Sequence, residues 1–216
     1  MRFSAIIFDL DGTLLDTLAD IGESMNAVLD ELGMPVHPLE SYRGFVGDGV
    51  VMLARRALPP ERADEATVAK TAARMREIYA SRATVRTAVY EGLPALLDAL
   101  ERRGLPKAVL SNKPHDLTVS LVRSMLGRWS FHPVLGERAG VPRKPDPHAA
   151  LEIAEALAVS PRSVLFLGDT ATDMATARSA GMTAVGALWG FRDAHELVQA
   201  GASTLVARPG EVLRLL

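Results

Sequence analysis

The sequence predicts an α/β protein, a doubly wound parallel sheet of Rossmann-like type that carries an inserted α-helical domain. Three observations lead to this prediction. Short apolar runs, of the kind that forms buried parallel strands, alternate along the chain with amphipathic helical patterns. Three of these runs end directly in polar residues, which is typical of strands whose carboxyl ends open onto a ligand site. One long stretch near the amino terminus contains helical patterns alone.

Five apolar runs are predicted to form the strands of the sheet. They are residues 5–10, 107–110, 164–167, 183–187 and 204–206. Helical patterns lie between them at residues 93–103, 117–126 and 147–158. The first two of these patterns stop at Gly104 and Gly127, and glycine commonly follows the end of a helix. The third is predicted to begin at Pro147, with Asp146 as its N-cap.

Residues 16–85 interrupt the alternation of strands and helices. Helical patterns cover residues 17–32, 50–58 and 63–82, and no convincing strand lies among them. About seventy residues of helix are far more than a crossover between two parallel strands needs. We therefore predict that residues 1–15 and 86–216 form an α/β core, and that residues 16–85 form an inserted helical cap over the site.

Composition excludes several classes of function. Apolar residues make up 48% of the 216 residues and charged residues 23%, which is ordinary for a globular protein. The formal net charge of −2 disfavours nucleic acid as a partner. The absence of cysteine excludes disulfides and thiolate chemistry. With neither a secretory signal nor an apolar stretch of membrane-spanning length, we expect a cytoplasmic protein without membrane partners. A monomer and a homodimer are both compatible with the sequence.

Four short segments carry residues suited to phosphate chemistry. Residues 9–13 and 168–173 bring four aspartates, Asp9, Asp11, Asp169 and Asp173. The other two segments contribute Ser111 with Asn112, and Lys144. If the strands end at one edge, these carboxylates converge, and two unit charges 4 Å apart repel by about 4 kcal/mol at an effective dielectric constant near 20. Such a cluster either takes up protons or recruits a cation, and oxygen-only ligands favour Mg²⁺.

The same residues suit phosphoryl transfer. A cation held by the carboxylates could bind a phosphate oxygen and neutralise charge during the reaction. A carboxylate nucleophile divides hydrolysis of a phosphate monoester into two displacements, each of which is assisted by a separate acid–base group. Two aspartates one residue apart at the end of a strand, Asp9 and Asp11, could supply the nucleophile and the acid–base group.

In order and spacing, the four segments resemble the four motifs of the haloacid dehalogenase superfamily. The resemblance covers nearly the whole chain. It implies that the α/β core, residues 1–15 and 86–216, is catalytic and that the inserted cap, residues 16–85, selects the substrate. Within the superfamily the chain is similar to the phosphoglycolate phosphatase branch, on the evidence of residues 43–49, 90–94 and 110–114. The resemblance implies a Mg²⁺-dependent phosphoric monoester hydrolase that acts on a small phosphorylated metabolite such as phosphoglycolate.

The resemblance also implies roles for particular residues. Asp9 would attack phosphorus and form an aspartyl-phosphate, while Asp11 would protonate the leaving oxygen and then activate water. Ser111 and Lys144 would bind the phosphoryl oxygens, with Lys144 also keeping Asp9 ionised. Asn112 would orient the phosphate.

For the metal, the resemblance implies three direct ligands. These are the Asp9 carboxylate, the backbone carbonyl of Asp11 and the Asp169 carboxylate. Asp173 would be a further ligand or would support the others.

Substrate-binding candidates also occur in the predicted cap. Arg43, with Gly47 and Gly49, could present a cation and backbone N–H groups to an anionic substrate. The alternative is a loop that opens the helix at Val50, with Arg43 solvated. Asp48, between the two glycines, counts against anion binding unless its side chain points away.

Other functions remain open at this point. A phosphosugar mutase shares the four motifs, but residues 17–21 lack the histidine typical of that group. A pyrophosphatase or a broad sugar-phosphate phosphatase is compatible with the sequence. A haloacid dehalogenase is disfavoured, because that chemistry uses neither Mg²⁺ nor the second aspartate, Asp11. A catalytically silent regulator that binds a phosphorylated ligand would gain nothing from keeping a nucleophile.

Overall fold

The computed structural model describes residues 3–216, and the chain divides into two compact units. One unit comprises the chain up to Asp16 together with Val89–Leu216. The other is Thr17–Ala88. The helical unit therefore ends three residues beyond the 16–85 expected from sequence.

A six-stranded parallel sheet forms the centre of the larger unit, so the predicted fold class is confirmed. The strands are β1 (Ala5–Phe8), β4 (Lys107–Pro114), β5 (Val134–Glu137), β6 (Val164–Gly168), β7 (Thr183–Ala187) and β8 (Thr204–Val206). The helices of this unit are α5 (Leu93–Arg102), α6 (His115–Leu126), α7 (His148–Ala156), α8 (Ala171–Ser179) and α9 (Ala194–Gln199). Short 3₁₀ turns occupy Pro161–Ser163 and Pro209–Arg214.

The strand order explains where a ligand binds. Across the sheet the order is β5-β4-β1-β6-β7-β8, so the chain builds outward from β1 to one side and then crosses back to build the other. The order reverses between β1 and β6, which pair directly in parallel register, Phe8 opposite Leu167. In doubly wound sheets ligands bind in the crevice at this switch point, beyond the carboxyl ends of the strands.

Central strands are apolar because helices cover both faces of the sheet. All four residues of β1 and all five of β6 are buried, and Phe8 and Phe166 are among the largest fully buried side chains. A strand buried on both faces cannot alternate polar and apolar residues, hence the continuous apolar runs in the sequence.

Two strands differ from the sequence prediction by more than a residue or two. β4 continues to Pro114, so Ser111 and Asn112 lie within the strand rather than after it, at a register shift against β5. β5 was missed, because Val134–Glu137 is short and contains a glycine. Gly136 is required there, since a Cβ would lie 2.6 Å from the backbone of His115.

The start of α7 also differs from prediction. The helix begins at His148 with Pro147 as the capping residue, one position later than expected. Asp146 nevertheless accepts a hydrogen bond from the His148 N–H at 2.9 Å, which satisfies one of the unpaired donors at the helix start.

The smaller unit is helical. Its helices are α1 (Leu18–Glu31), α2 (Tyr42–Phe45), α3 (Val50–Ala57) and α4 (Glu65–Arg82), with 3₁₀ turns at Leu39–Ser41 and Pro60–Arg62. Where the chain leaves and re-enters the larger unit, β2 (Leu15–Asp16) and β3 (Ala88–Val89) form a two-stranded sheet.

A buried carboxylate joins the two ends of the helical unit. Asp20, in the first turn of α1, is fully buried. Its oxygens accept hydrogen bonds from the Arg86 N–H at 3.0 Å, from the Thr87 N–H at 2.8 Å and from the Thr87 hydroxyl at 2.8 Å. These contacts explain why the unit extends past residue 85.

We expect Asp20→Asn to loosen this junction. The amide keeps only one acceptor oxygen and turns an N–H₂ group towards buried donors, so about 1.5–3 kcal/mol of stability should be lost. The rate of hydrogen exchange at the Arg86 and Thr87 amides should rise by the factor that corresponds to this loss of free energy. Asp30→Asn, on the exposed face of the same helix, is the control and should leave this exchange unchanged.

Candidate active site

Lys144 lies at the centre of a group of aspartates at the carboxyl edge of the sheet. Its Nζ donates to Asp9 Oδ1 at 2.7 Å, to Asp173 Oδ1 at 2.7 Å and to the Leu110 carbonyl at 3.1 Å. An ammonium group has three donors, and all three are used. The Lys144 side chain is only 3% exposed, and it lies in the loop between β5 and α7. The strand missed in the sequence thus leads into the lysine segment.

Asp169, at the end of β6, is held by neutral donors. Oδ1 accepts from the Thr13 hydroxyl at 2.7 Å, and Oδ2 accepts from the Phe191 N–H at 2.8 Å. Two glycines leave room for it. A Cβ on Gly12, whose φ is +87°, would lie 2.3 Å from Asp169 Oδ2, and one on Gly190 would lie 2.3 Å from the Asp169 Cβ.

Asp173 performs a structural task as well as facing Lys144. Its Oδ2 accepts from the Thr170 N–H at 3.0 Å and from the Thr170 hydroxyl at 2.7 Å, in a capping box that starts α8. Both Asp173 oxygens therefore have protein partners. This arrangement favours support of the other carboxylates over direct metal ligation.

Asp11 has a different partner, Lys113. The Lys113 Nζ lies 2.9 Å from Asp11 Oδ2, and the two side chains are 6% and 12% exposed. The other oxygen, Oδ1, is buried without a hydrogen-bond partner among the residues the structure describes.

Ser111 and Asn112 lie between these groups. Ser111 Oγ accepts from the Lys113 N–H at 3.2 Å, and Asn112 donates to the Lys144 carbonyl at 3.0 Å. Both side chains are buried, and Asn112 braces the backbone of the residue that binds Asp9.

Electrostatics within the group favour a cation. Burial raises the pKa of Asp9 well above its usual range, with the charges of Asp173 and Asp169 adding to the effect and Lys144 opposing it. Burial and the charge of Asp173 raise the pKa of Asp169 to about 7, although Phe191 and Thr13 lower it. Burial alone would lower the pKa of Lys144, but Asp173 and Asp9 outweigh it and raise that pKa. Too little positive charge faces these carboxylates for all of them to ionise freely.

The residues present fit a divalent cation. One carboxylate oxygen from each of Asp9, Asp169 and Asp173 lies within 4.8 Å of the other two. All the candidate ligands are oxygens, the donor type preferred by hard divalent cations. With all groups ionised, the four aspartates and the two lysines of the site carry a formal charge of −2, which one such ion would balance.

The predicted substrate-binding residues of the cap lie in the helical unit. Arg43, in α2, donates through Nε to Glu40 at 2.6 Å, and its side chain is 40% exposed. Gly47 and Gly49 have φ of +128° and +85°, and Gly49 precedes α3. Asp48 pairs with Arg56 at 2.5 Å.

Sequence reasoning did not single out four residues that hold the site. Thr13 and Lys113 adjoin recognised motif residues, so their neighbours could have drawn attention to them. Gly190 and Phe191 follow β7 and act through backbone position alone. No local pattern marks such a contact, because it depends on β7 lying beside β6.

Comparison with known proteins identifies the family. The model of the family described as haloacid dehalogenase-like hydrolase matches residues 6–187. This match spans most of the chain and includes all four segments of the site. The protein belongs to the haloacid dehalogenase-like hydrolases, and the family predicted from the motifs is confirmed.

Individual relatives are similar over most or all of the chain. A phosphoglycolate phosphatase of Chromobacterium violaceum is 34% identical, with 100% of this chain and 97% of that protein aligned. One from Pseudomonas putida is also 34% identical, over 86% of this chain and 70% of that protein. Among solved structures, a Lactobacillus delbrueckii protein provisionally described as a phosphoglycolate phosphatase has a TM-score of 0.92 at 29% identity, covering 100% of this chain and 98% of its own.

The helices of the described chain include none with the length and apolar character needed to span a membrane.

We expect Gly190→Ala to weaken metal binding by displacing Asp169. Loss of support around a ligand typically lowers metal affinity about 10–100-fold. When melting temperature is followed against Mg²⁺ concentration, the concentration at the midpoint should therefore rise by that factor. Gly210→Ala is the control, because a Cβ there meets nothing within 4 Å. A Gly190→Ala protein that titrates like the control would contradict the role assigned to this contact.

Proposed function

We propose that this hydrolase is a Mg²⁺-dependent phosphatase that cleaves a small phosphate monoester, phosphoglycolate or a close analogue, through an aspartyl-phosphate on Asp9. The observation that carries the proposal is the buried contact of Asp9 with Lys144 at the switch point of the sheet. A carboxylate at a phosphate-binding edge, paired with a fixed cation, suits nucleophilic attack on an anionic phosphoryl group.

In the first step, a carboxylate oxygen of Asp9 forms a bond to phosphorus while the bond from phosphorus to the ester oxygen breaks. Asp11 delivers a proton to that leaving oxygen, and the alcohol departs. Lys144 exchanges one of its three present contacts for a phosphoryl oxygen, and Ser111 binds another. Asn112 orients the phosphate by holding the backbone carbonyl of Lys144. Fixed donors of this kind stabilise the charge that spreads over the phosphoryl oxygens in the transition state.

In the second step, water attacks the phosphorus of the aspartyl-phosphate and gives its proton to Asp11. The bond between phosphorus and Asp9 breaks, which releases inorganic phosphate and regenerates both aspartates. Asp9 thus acts first as nucleophile and then as leaving group, while Asp11 acts first as acid and then as base, and the protein is unchanged overall.

Mg²⁺ would be held by Asp9, Asp169 and the backbone carbonyl of Asp11, with Asp173 supporting them through Lys144. When bound, the ion neutralises phosphoryl charge and fixes the phosphate relative to Asp9. The Thr13 hydroxyl and the Phe191 N–H donate to the Asp169 carboxylate and keep it in place for the ion.

Phosphoglycolate is proposed as substrate from the relatives, which carry that activity in their names. It bears a second anion, a carboxylate, which a cation outside the phosphate site would recognise. We propose that the helical unit acts as the cap that selects the substrate, and that Arg43 with the Gly47–Gly49 turn meets this carboxylate. Arg43 would exchange its contact with Glu40 for the substrate.

We expect Asp9→Asn to reduce turnover of an aryl phosphate by at least about a thousandfold, because an amide cannot replace a carboxylate nucleophile. Initial rates with 4-nitrophenyl phosphate, measured with Mg²⁺ and again after EDTA treatment, provide the test. Asp116→Asn, an exposed aspartate at the start of α6, is the control. Asp9→Asn activity within tenfold of wild type, or full wild-type activity without metal, would refute the mechanism.

Substrate choice has its own test. Arg43→Ala should lose about 10–100-fold in kcat/KM on phosphoglycolate, the value of one charge-assisted contact, and much less on 4-nitrophenyl phosphate. Comparing the two esters cancels general damage to the fold. Glu40→Ala removes the same ion pair from its other side, and it should keep activity on phosphoglycolate. Equal losses on both esters would make Arg43 structural.

A further inference from the structure

Two buried lysines pair with three of the four aspartates of the site. The three N–H groups of Lys144 donate to Asp9, Asp173 and the Leu110 carbonyl. Asp11 instead pairs with Lys113 at 2.9 Å. The two ion pairs therefore serve different members of the group, and the function proposed above gives no task to Lys113.

The position of Lys113 is well determined by its backbone. Its N–H donates to Ser111 Oγ at 3.2 Å, and its carbonyl accepts from the Thr118 hydroxyl at 3.1 Å. A Cβ on Gly136 of β5 would lie 2.6 Å from that carbonyl, so the neighbouring strand also fits closely. The residue lies at the register shift of β4 against β5, where the regular alternation of the strand is broken. Serine, asparagine and lysine can thus all reach the site in succession.

The contact is also asymmetric at Asp11. Lys113 engages Oδ2, while Oδ1 is buried and has no hydrogen-bond partner in the described part of the chain. The contact with Lys113 fixes the position of one carboxylate oxygen and leaves the second oxygen available for transfer of a proton. A catalytic acid–base group needs such fixed geometry, because proton transfer requires approach to hydrogen-bond distance of the reacting atom.

We propose that Lys113 is a positioning residue for Asp11: it holds Oδ2 so that Oδ1 faces the leaving oxygen and then the attacking water. This inference rests on the acid–base role of Asp11 in the proposed function. Lys113 acts through Asp11 and makes no contribution of its own to binding the transferred phosphoryl group.

Lys113→Met replaces the ammonium by an apolar group of similar length. With phenyl phosphate, whose leaving group needs acid assistance, kcat should fall about 10–100-fold while KM stays within about twofold. With 4-nitrophenyl phosphate, bond cleavage needs less assistance and its rate should fall less, as measured by the burst of nitrophenol in a single turnover. A side chain with a purely structural role would lower both rates alike.

The decisive measurement adds the same change to Asp11→Asn. If Lys113 acts through Asp11, the double variant should be as active as Asp11→Asn alone, since interacting residues are non-additive. The matched control is Lys107→Met at the other end of β4, where a buried lysine pairs with Glu101 away from the site. It should change stability but not kcat. Lys113→Gln keeps a donor for Asp11, so its kcat should fall less than that of Lys113→Met. If the methionine variant does not fold, the glutamine variant provides the test.

Each outcome separates the inference from the proposed function. Full activity of Lys113→Met, or an equal further loss when it is added to Asp11→Asn, overturns the positioning role and leaves the phosphatase mechanism standing. Full activity of Asp11→Asn itself overturns the acid–base assignment and the role of Lys113 with it. A loss in Lys113→Met that disappears in the Asp11→Asn background establishes the role.

Discussion

Repulsion among buried carboxylates is the constraint on which the rest of this site depends. Asp9, Asp169 and Asp173 lie close together out of water, and burial raises the pKa of both Asp9 and Asp169. An arrangement of this kind persists only if cations and hydrogen-bond donors compensate it. The fold supplies an ammonium for Asp9 and Asp173, and a hydroxyl and an N–H for Asp169. In the proposed function a divalent ion would balance the remaining negative charge.

The topology of the sheet makes that compensation possible. Reversal of the strand order between β1 and β6 brings Asp9 and Asp169 side by side although 160 residues separate them in sequence. β5 leads to the loop that returns Lys144 to the same edge, and β7 leads to the Phe191 N–H. Glycine at positions 12 and 190 then allows the backbone to approach Asp169 more closely than any side chain would permit. Each compensating group thus comes from a different strand.

Sequence patterns predicted most of the fold, because strands and helices are marked by the spacing of apolar residues within short stretches of the chain. The continuous apolar character of β1 and β6 follows from burial on both faces, and the helical insertion is marked by its length. Prediction was poorer where local patterns are weak. β5 has too few apolar residues to stand out, and the extension of β4 past Leu110 contains polar residues that serve the site. The start and end positions of the helices differ from prediction by at most two residues, since caps such as Asp146 and Pro147 admit alternatives.

For the site itself, the sequence alone predicted the chemical groups, four aspartates, a lysine and a serine in a recognisable order. It also predicted the family, which the family match confirms. Tertiary structure alone decided how those groups are paired. Lys144 bridging Asp9 and Asp173, Lys113 holding Asp11, and the Phe191 N–H binding Asp169 are contacts between residues 22 to 135 positions apart. The motifs show which side chains the proposed reaction needs. The distances between side chains on different strands are set by the packing of the whole sheet, so no short stretch of sequence determines them.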